Sequence, residues 1–268
     1  MRTAVSRGIY RCPVKSVTRI QPGIFALGFG SPELSVRSLP GQFVNVKVSS
    51  DYIPLLRRPF SIHRTEAANV ELIFSAVGTG TRMLTEKRIG DVIDVMGPLG
   101  KPFVVNDDFE TALLVGGGLG VAPLPMLTEF LQRQGKPILT FVGARTSTQV
   151  VDRCLENVHI ATDDGSIGYR GTVIDLLAEY LARHTTRHPK IFACGPMPML
   201  KNLAQLAVER DIPSEASFEC AMACGFGICQ GCPIEGNVPA TADGNQRGKY
   251  ALVCKDGPVF NMREVIIR

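Results

Sequence analysis

The sequence predicts a β segment, then an α/β segment, then a small cysteine-rich unit. Three observations carry this. Short apolar segments separated by Pro/Gly turns fill residues 1 to about 103. From Thr111, strand-like runs alternate with helical ones. After Pro213, cysteines and glycines dominate. The expected domains are 1–103, 104–213 and 214–268, with KPFVVNDDFE (101–110) and IPSEAS (212–217) as junctions.

The first segment supplies TAVSRGIYR, GIFALGFG, QFVNVKV and VELIFSAV, spaced as in a small antiparallel barrel. RMLTEKRI reads as a short helix over an open end. LLRRPFSI (55–62) sets Arg58, Pro59, Phe60 and Ser61 after a barrel-like strand. An arginine there can pair with a diphosphate. Phe60 and Ser61 can face a flavin ring and its N5 edge. An Arg-Pro turn with a buried Phe explains the same residues. IFSAVGTGT (73–81) ends a strand in Gly78, Thr79, Gly80 and Thr81. That turn can offer N–H groups to phosphate, or be a plain turn into a helix.

The second segment opens with LLVGGGLGVAPL (113–124), a strand, a glycine cluster and a helix from about Ala122 to Arg133. Gly116, Gly117, Gly118 and Gly120 would let the backbone meet a pyrophosphate at a helix N-terminus. The spacing is G-G-G-x-G rather than G-x-G-x-x-G, so a tight unliganded turn also fits. PILTFVG, NVHIATD, TVIDLLAEYLARH, KIFACG and MPMLKNLAQLAVER continue the alternation. Strand ends carry Asp163 and Asp164, then Cys194, Gly195 and Pro196. Ligands of open α/β sheets bind at such ends. A polar turn and a buried small residue are the plain alternatives.

The third segment holds Cys224, Cys229 and Cys232 in ACGFGICQGC, and Cys254 in VCKDGPVF. C-x4-C-x2-C with a distant fourth Cys is the plant-type [2Fe–2S] spacing. Gly225, Gly227 and Gly231 would let the loop curl with positive φ. Structural zinc is the rival, but it usually comes as two C-x2-C knuckles, and only Cys229 and Cys232 fit one. Cys220 lies four residues before Cys224 and reads as a bystander or a substitute ligand.

Composition limits the alternatives. The 268 residues carry a net charge of +4 without a basic run, so no nucleic-acid partner is expected. No stretch approaches the roughly 18 apolar residues of a membrane span. The N-terminus shows no apolar h-region. Four of the eight cysteines fall in the 13 residues 220–232. Reduced, cytoplasmic thiols with some on metal are therefore expected over disulfides.

Taken in order, RRPFSI, GTGT, GPLG (97–100), VGGGLGVAPL, ATDDGS, CGPMPML, ACGFGICQGC and VCKDGPVF resemble the ferredoxin–NAD(P) reductase superfamily. Within it they are most similar to the electron-transfer subunits of dihydroorotate dehydrogenase B. The pairing of RRPFSI with the cluster loop is the specific part. The resemblance implies a ferredoxin-reductase-like fold: an antiparallel FAD-binding β-barrel, a parallel-sheet NAD-binding domain and a C-terminal [2Fe–2S] domain. It implies FAD held by Arg58, Pro59, Phe60, Ser61, Ile73, Phe74, Ser75, Gly80 and Thr81. It implies Cys224, Cys229, Cys232 and Cys254 as cluster ligands and Cys194 near the nicotinamide. Thr79, where a basic residue is common, and Cys220 depart from the pattern.

The same resemblance implies a pyrimidine-biosynthetic oxidoreductase subunit in a hetero-oligomer. Electrons from an FMN-containing catalytic subunit would cross the cluster singly, collect on FAD and reach NAD+ as hydride. No nucleophile–base constellation is present. His63 lies beside the flavin motif, while His159, His184 and His188 follow in the second segment. The dihydroorotate-oxidising base is therefore expected on the partner. Asp163 and Asp164 favour NAD over NADP by repelling a 2′-phosphate; Arg145 would favour the phosphate. The alternatives are a flavin/iron–sulfur subunit of another NAD(P)H:ferredoxin-type oxidoreductase and a zinc-stabilised interaction module without enzymatic activity.

Overall fold

A computed structural model of the chain describes residues 8–49, 51–106, 108–237 and 249–267. The opening residues of the first expected strand, 3–7, lie outside them. Six antiparallel strands close a barrel: β1 (Gly8–Gln21), β2 (Ile24–Gly30), β3 (Phe43–Lys47), β4 (Arg58–Glu66), β5 (Asn69–Ser75) and β6 (Val92–Leu99). The order is β1-β2-β5-β4-β3-β6. Phe29, Val44, Ile62, Leu72 and Val95 fill the interior, each fully buried. RRPFSI does not follow a strand; Arg58 begins β4. Two short helices flank the barrel, α1 (Pro32–Arg37) and α2 (Thr79–Thr85). Ser31 caps α1 by accepting from the Leu34 N–H at 3.4 Å.

Past the linker, a seven-stranded sheet uses β7 (Thr111–Gly117), β8 (Ile138–Ala144), β9 (Val158–Thr162), β10 (Tyr169–Arg170), β11 (Pro189–Cys194) and β12 (Ser214–Ser217) in parallel. Three helices cover it: α3 (Leu124–Arg133), α4 (Val173–Arg183) and α5 (Met197–Glu209). Strand alternation sorts the side chains between faces. Leu113, Val115 and Ile191 meet Leu177 of α4 and Leu200 and Leu203 of α5. Ala112, Leu114 and Phe192 meet Leu124, Leu127 and Leu131 of α3. Among the described residues no helix is long and apolar enough to cross a membrane.

The C-terminal segment adds a hairpin, β13 (Pro233–Glu235) with β14 (Tyr250–Leu252), the short helix α6 (Val253–Asp256), and β15 (Val259–Asn261). β15 joins the large sheet antiparallel to β12. The expected junction 212–217 thus contains a sheet strand, with β12 paired on both sides. Its polar sequence is stabilised by partners: Lys190 Nζ lies 3.2 Å from Glu215 and donates to the Val104 carbonyl at 2.8 Å. The Val104 N–H donates back to Glu215 at 2.9 Å. The linker from the barrel is therefore tied to β11 and β12.

The barrel also meets the sheet through β4 and β5. Arg64 pairs with Glu129 of α3 at 2.9 Å, and Arg153 pairs with Glu71 at 3.3 Å. Between them His63 is fully buried, with Nδ1 2.8 Å from the Ala122 carbonyl. The carbonyl can only accept, so Nδ1 carries the proton. Burial brings the imidazole down to about 4, against the Ala122 bond, with Arg153 and Arg64 adding to the fall. Unfolded, this histidine takes a proton near pH 6.5; folded, it does not until about pH 4. Its contribution is complete above pH 6.5 and is lost as pH falls towards 4. In urea unfolding, the loss of stability between pH 7 and 5 is expected to shrink by about 2 kcal/mol in His63→Asn.

Candidate functional site

Two cavities and one thiol cluster gather the expected residues. The first cavity, about 260 Å³, is lined by Pro59, Phe60, Ser61, Ile73, Phe74, Ser75 and Thr81. β4 and β5 present these side by side, and the Phe60 and Phe74 rings lie 5.5 Å apart. The Thr81 hydroxyl closes its own turn against the Gly78 backbone at 3.0 Å. Arg58 lies outside the lining but packs beneath Gly80, its Nε 3.2 Å from where a Cβ would stand. That brings the arginine and the glycine turn together, as a diphosphate site needs.

The far wall of this cavity was not legible from the motifs. Leu119 and Ala122 come from the glycine turn after β7; Phe218, Glu219, Cys220 and Met222 come from the chain leaving β12. Glu219 lines this cavity, and desolvation by the surrounding protein pushes its carboxyl up.

The second cavity, about 320 Å³, is lined by Gly117, Gly118 and Asp163, with Arg145, Thr172 and Asn202. It lies at the C-terminal ends of the parallel strands, where open α/β sheets bind ligands. The glycine turn separates the two cavities: Gly117 and Gly118 face one, Leu119 and Ala122 the other. Gly116 and Gly120 are packing positions. A Cβ on Gly120 would strike the Cys194 carbonyl, so only glycine lets this turn cross β11. The turn is a 3₁₀ segment, Gly118–Val121, and α3 begins only at Leu124. Gly195 packs against Met199. Cys194 is 1% exposed and lines neither cavity. Burial, then the Glu219 charge, pushes its thiol far up. It is a buried packing residue held as a neutral thiol. A larger cavity of about 610 Å³, at the opposite end of β11 beside His188, gathers none of the expected residues.

The thiol cluster forms where the 224–232 loop meets α6. Pairing of β13 with β14 sets Pro233 opposite Leu252, so Cys232 and Cys254 converge, sulfurs 3.1 Å apart. Both are buried, and burial pushes Cys254 up to about 12. The other two are nearer the surface. The Cys229 N–H points at Cys224 Sγ at 3.5 Å. Burial opposes ionisation of Cys224, but the N–H groups of Cys229, Phe226 and Ile228 bring it down to about 6. Gly225 and Gly227 take φ of +81° and +94°; Gln230, at +59°, replaces Gly231 as the third left-handed position. A Cβ on Gly225 would strike the Asn45 side chain, which donates to the Cys224 carbonyl at 3.3 Å. Asn45, polar and fully buried between Val44 and Val46 of β3, is the sequence signal that was missed.

Two pairs of thiols, with N–H groups turned towards sulfur, suit a two-iron centre. Zinc would need four donors on one ion.

Comparison with known proteins agrees with this geometry. Residues 219–266 match the iron–sulfur cluster binding domain of dihydroorotate dehydrogenase B. The electron transfer subunit of dihydroorotate dehydrogenase B (NAD(+)) from Desulforamulus reducens is 32% identical, over 96% of this chain and 98% of its own length. That from Geobacillus sp. strain WCH70 is 39% identical, over 92% and 95%. Among solved structures, an NADH-dependent reduced ferredoxin-NADP oxidoreductase, described for flavin-based electron bifurcation, superposes with TM-score 0.83 at 29% identity. It covers 97% of this chain and 91% of that one. The cytochrome b5 reductase domain of Ulva prolifera nitrate reductase shares the fold at TM-score 0.62 and 17% identity.

The Gly225 contact is testable. Gly225→Ala meets both a left-handed φ, costing about 1–2 kcal/mol, and the Asn45 side chain. It is expected to lower iron per chain well below wild type. Gly231→Ala, whose Cβ would meet only the Cys229 sulfur at 3.5 Å, is expected to load normally.

Proposed function

Because the chain belongs to the family of dihydroorotate dehydrogenase B (NAD(+)) electron transfer subunits, we propose that it carries electrons between a catalytic dihydroorotate dehydrogenase partner and NAD+. One observation supports this most. Segment 217–222 lines the cavity of the RRPFSI motif and leads directly into the cysteine loop, while the glycine turn walls the same cavity from the nucleotide side.

In this proposal the first cavity takes the flavin of FAD. Pro59, Phe60 and Ser61 lie along one wall, Ile73, Phe74 and Ser75 along the next, and Arg58 with Gly80 and Thr81 meets the diphosphate. Cys224, Cys229, Cys232 and Cys254 hold the [2Fe–2S] cluster. Gly117, Gly118 and Asp163 receive NAD. Asp163 in that cavity disfavours a 2′-phosphate, opposing Arg145 in the same lining. FAD supplies the exchange between single electrons and hydride, because a nicotinamide accepts two electrons and a cluster one. The chain's own part is to hold and orient these groups.

The partner in this reading is an FMN-bearing subunit. It meets the loop at Cys229, an exposed residue beside Ile228, whose side chain is 76% exposed. Among the described residues, His63 is fully buried with its Nδ1 on the Ala122 carbonyl, and the acid–base chemistry on dihydroorotate is assigned to the partner.

The purified chain is expected to oxidise NADH with a dye acceptor but form no orotate. Adding the catalytic subunit should restore dihydroorotate-dependent NAD+ reduction. Cys229→Ser should abolish that coupled reaction and the cluster spectrum while sparing most NADH–dye activity. Orotate formed by the chain alone would overturn the assignment of the oxidation to the partner.

A further inference from the structure

His63 is the extra residue of a β-bulge. In the β4–β5 ladder Ile62 pairs with Leu72 and Arg64 with Glu71, so His63 has no cross-strand partner. A bulge re-aims a side chain. Ile62, just before it, belongs to the barrel interior, and Ser61, two positions before, lines the first cavity. The His63 imidazole reaches instead to the glycine turn after β7, with Nδ1 2.8 Å from the Ala122 carbonyl. That turn is the wall the two cavities share: Leu119 and Ala122 line the first, Gly117 and Gly118 the second. Elsewhere along the turn, Gly120 packs directly on the Cys194 backbone of β11.

We infer that His63 is a positioning residue, whose imidazole N–H holds the Ala122 carbonyl and so fixes the shared wall against the strand that carries Phe60 and Ser61. This rests on the reading that the first cavity takes flavin and the second NAD. His63 is fully buried, and its Nε2 has no hydrogen-bond partner; Glu71 Oε1 stands 3.7 Å from it. One nitrogen bonded and one bare make an imidazole a costly occupant of a core site. An apolar side chain would fill the space without that cost, but would leave the turn without this tether. The flanking ion pairs do not replace it. Arg64–Glu129 and Arg153–Glu71 are partly exposed, and they reach α3 and the segment after β8 rather than the turn. Hydride passes only between groups held in line, and an error of about 1 Å can cost about a hundredfold in rate. A wall that shifts moves the two cavities relative to each other. The bond therefore acts on the rate of transfer more than on the binding of nucleotide.

The test is stopped-flow reduction of flavin by NADH in the holo chain, with rates taken per bound FAD. Amide hydrogen exchange of the peptide containing Gly118–Ala122 is followed beside it. His63→Leu fills the site without a donor. It is expected to slow flavin reduction at saturating NADH about fivefold or more, to leave the half-saturating NADH concentration within about twofold, and to speed exchange in the turn. His63→Asn places an amide N–H where Nδ1 stood, and should keep the rate within about twofold of wild type with exchange unchanged. If the leucine variant holds no FAD, His63→Val provides the donor-free comparison, and the exchange readout decides alone if neither binds it. Unchanged reduction or unchanged turn exchange in the donor-free variant would overturn the inference. So would equal slowing in the asparagine and donor-free variants, which would make His63 a packing residue. Wild-type chain without flavin, or with flavin that NADH does not reduce, would instead overturn the functional reading beneath it.

Discussion

The site depends on one strand, β12, being paired on both sides. Ala216 pairs with Ala193 of β11 on one edge and Phe260 of β15 on the other. A strand so held cannot slip by one residue without exchanging its faces. The chain therefore leaves the sheet at Phe218 in a fixed direction, towards Phe60 and Phe74 of the barrel. The cavity wall at 218–222 and the entry to the cysteine loop both follow from that exit point.

Glu215 shows how the same strand ties in the barrel. Its carboxylate meets Lys190 on β11 and the Val104 N–H of the linker. A buried pair of this kind gives little net stability, because desolvation offsets most of the attraction. Removing one partner alone leaves an uncompensated charge, at about 3–5 kcal/mol. The pair therefore contributes more to register than to strength. It fixes where the linker crosses the sheet edge, and so how the barrel meets the nucleotide cavity. Arg64–Glu129 and Arg153–Glu71 act at the other contact, where partial exposure weakens them.

The long periodic elements and the cysteine spacing were legible in the sequence, because both are local. Leu113 and Val115 alternate with Ala112 and Leu114 in one run, and C-x4-C-x2-C needs only nine residues. Motif residues at strand ends also come to line cavities: Phe60, Ser61 and Phe74 one, Gly117 and Asp163 the other. What was hidden depends on distant pairing. Ser-Glu-Ala-Ser reads as a junction by composition, yet Lys190 and the flanking strands bury all four residues. Cys220 and Glu219 reach the barrel only through that strand. Gly116 and Gly120 have a packing role that the motif did not show, because a glycine needed for close packing looks the same in sequence as one needed for phosphate.

The two pairs of thiols are not equivalent, and their difference fits the order of the relay. Cys229 is exposed and Cys224 is partly so, with backbone N–H groups favouring its thiolate at about 6. Cys232 and Cys254 are buried against the sheet core. A centre held between them, as proposed, would have one exposed side at Cys229 and one buried side at Cys232 and Cys254. Its loop is anchored at both limits: Asn45 of β3 holds the Cys224 carbonyl, and the Val253 N–H holds the Cys232 carbonyl at 2.9 Å. The exposed limit can then meet a partner without moving the buried limit.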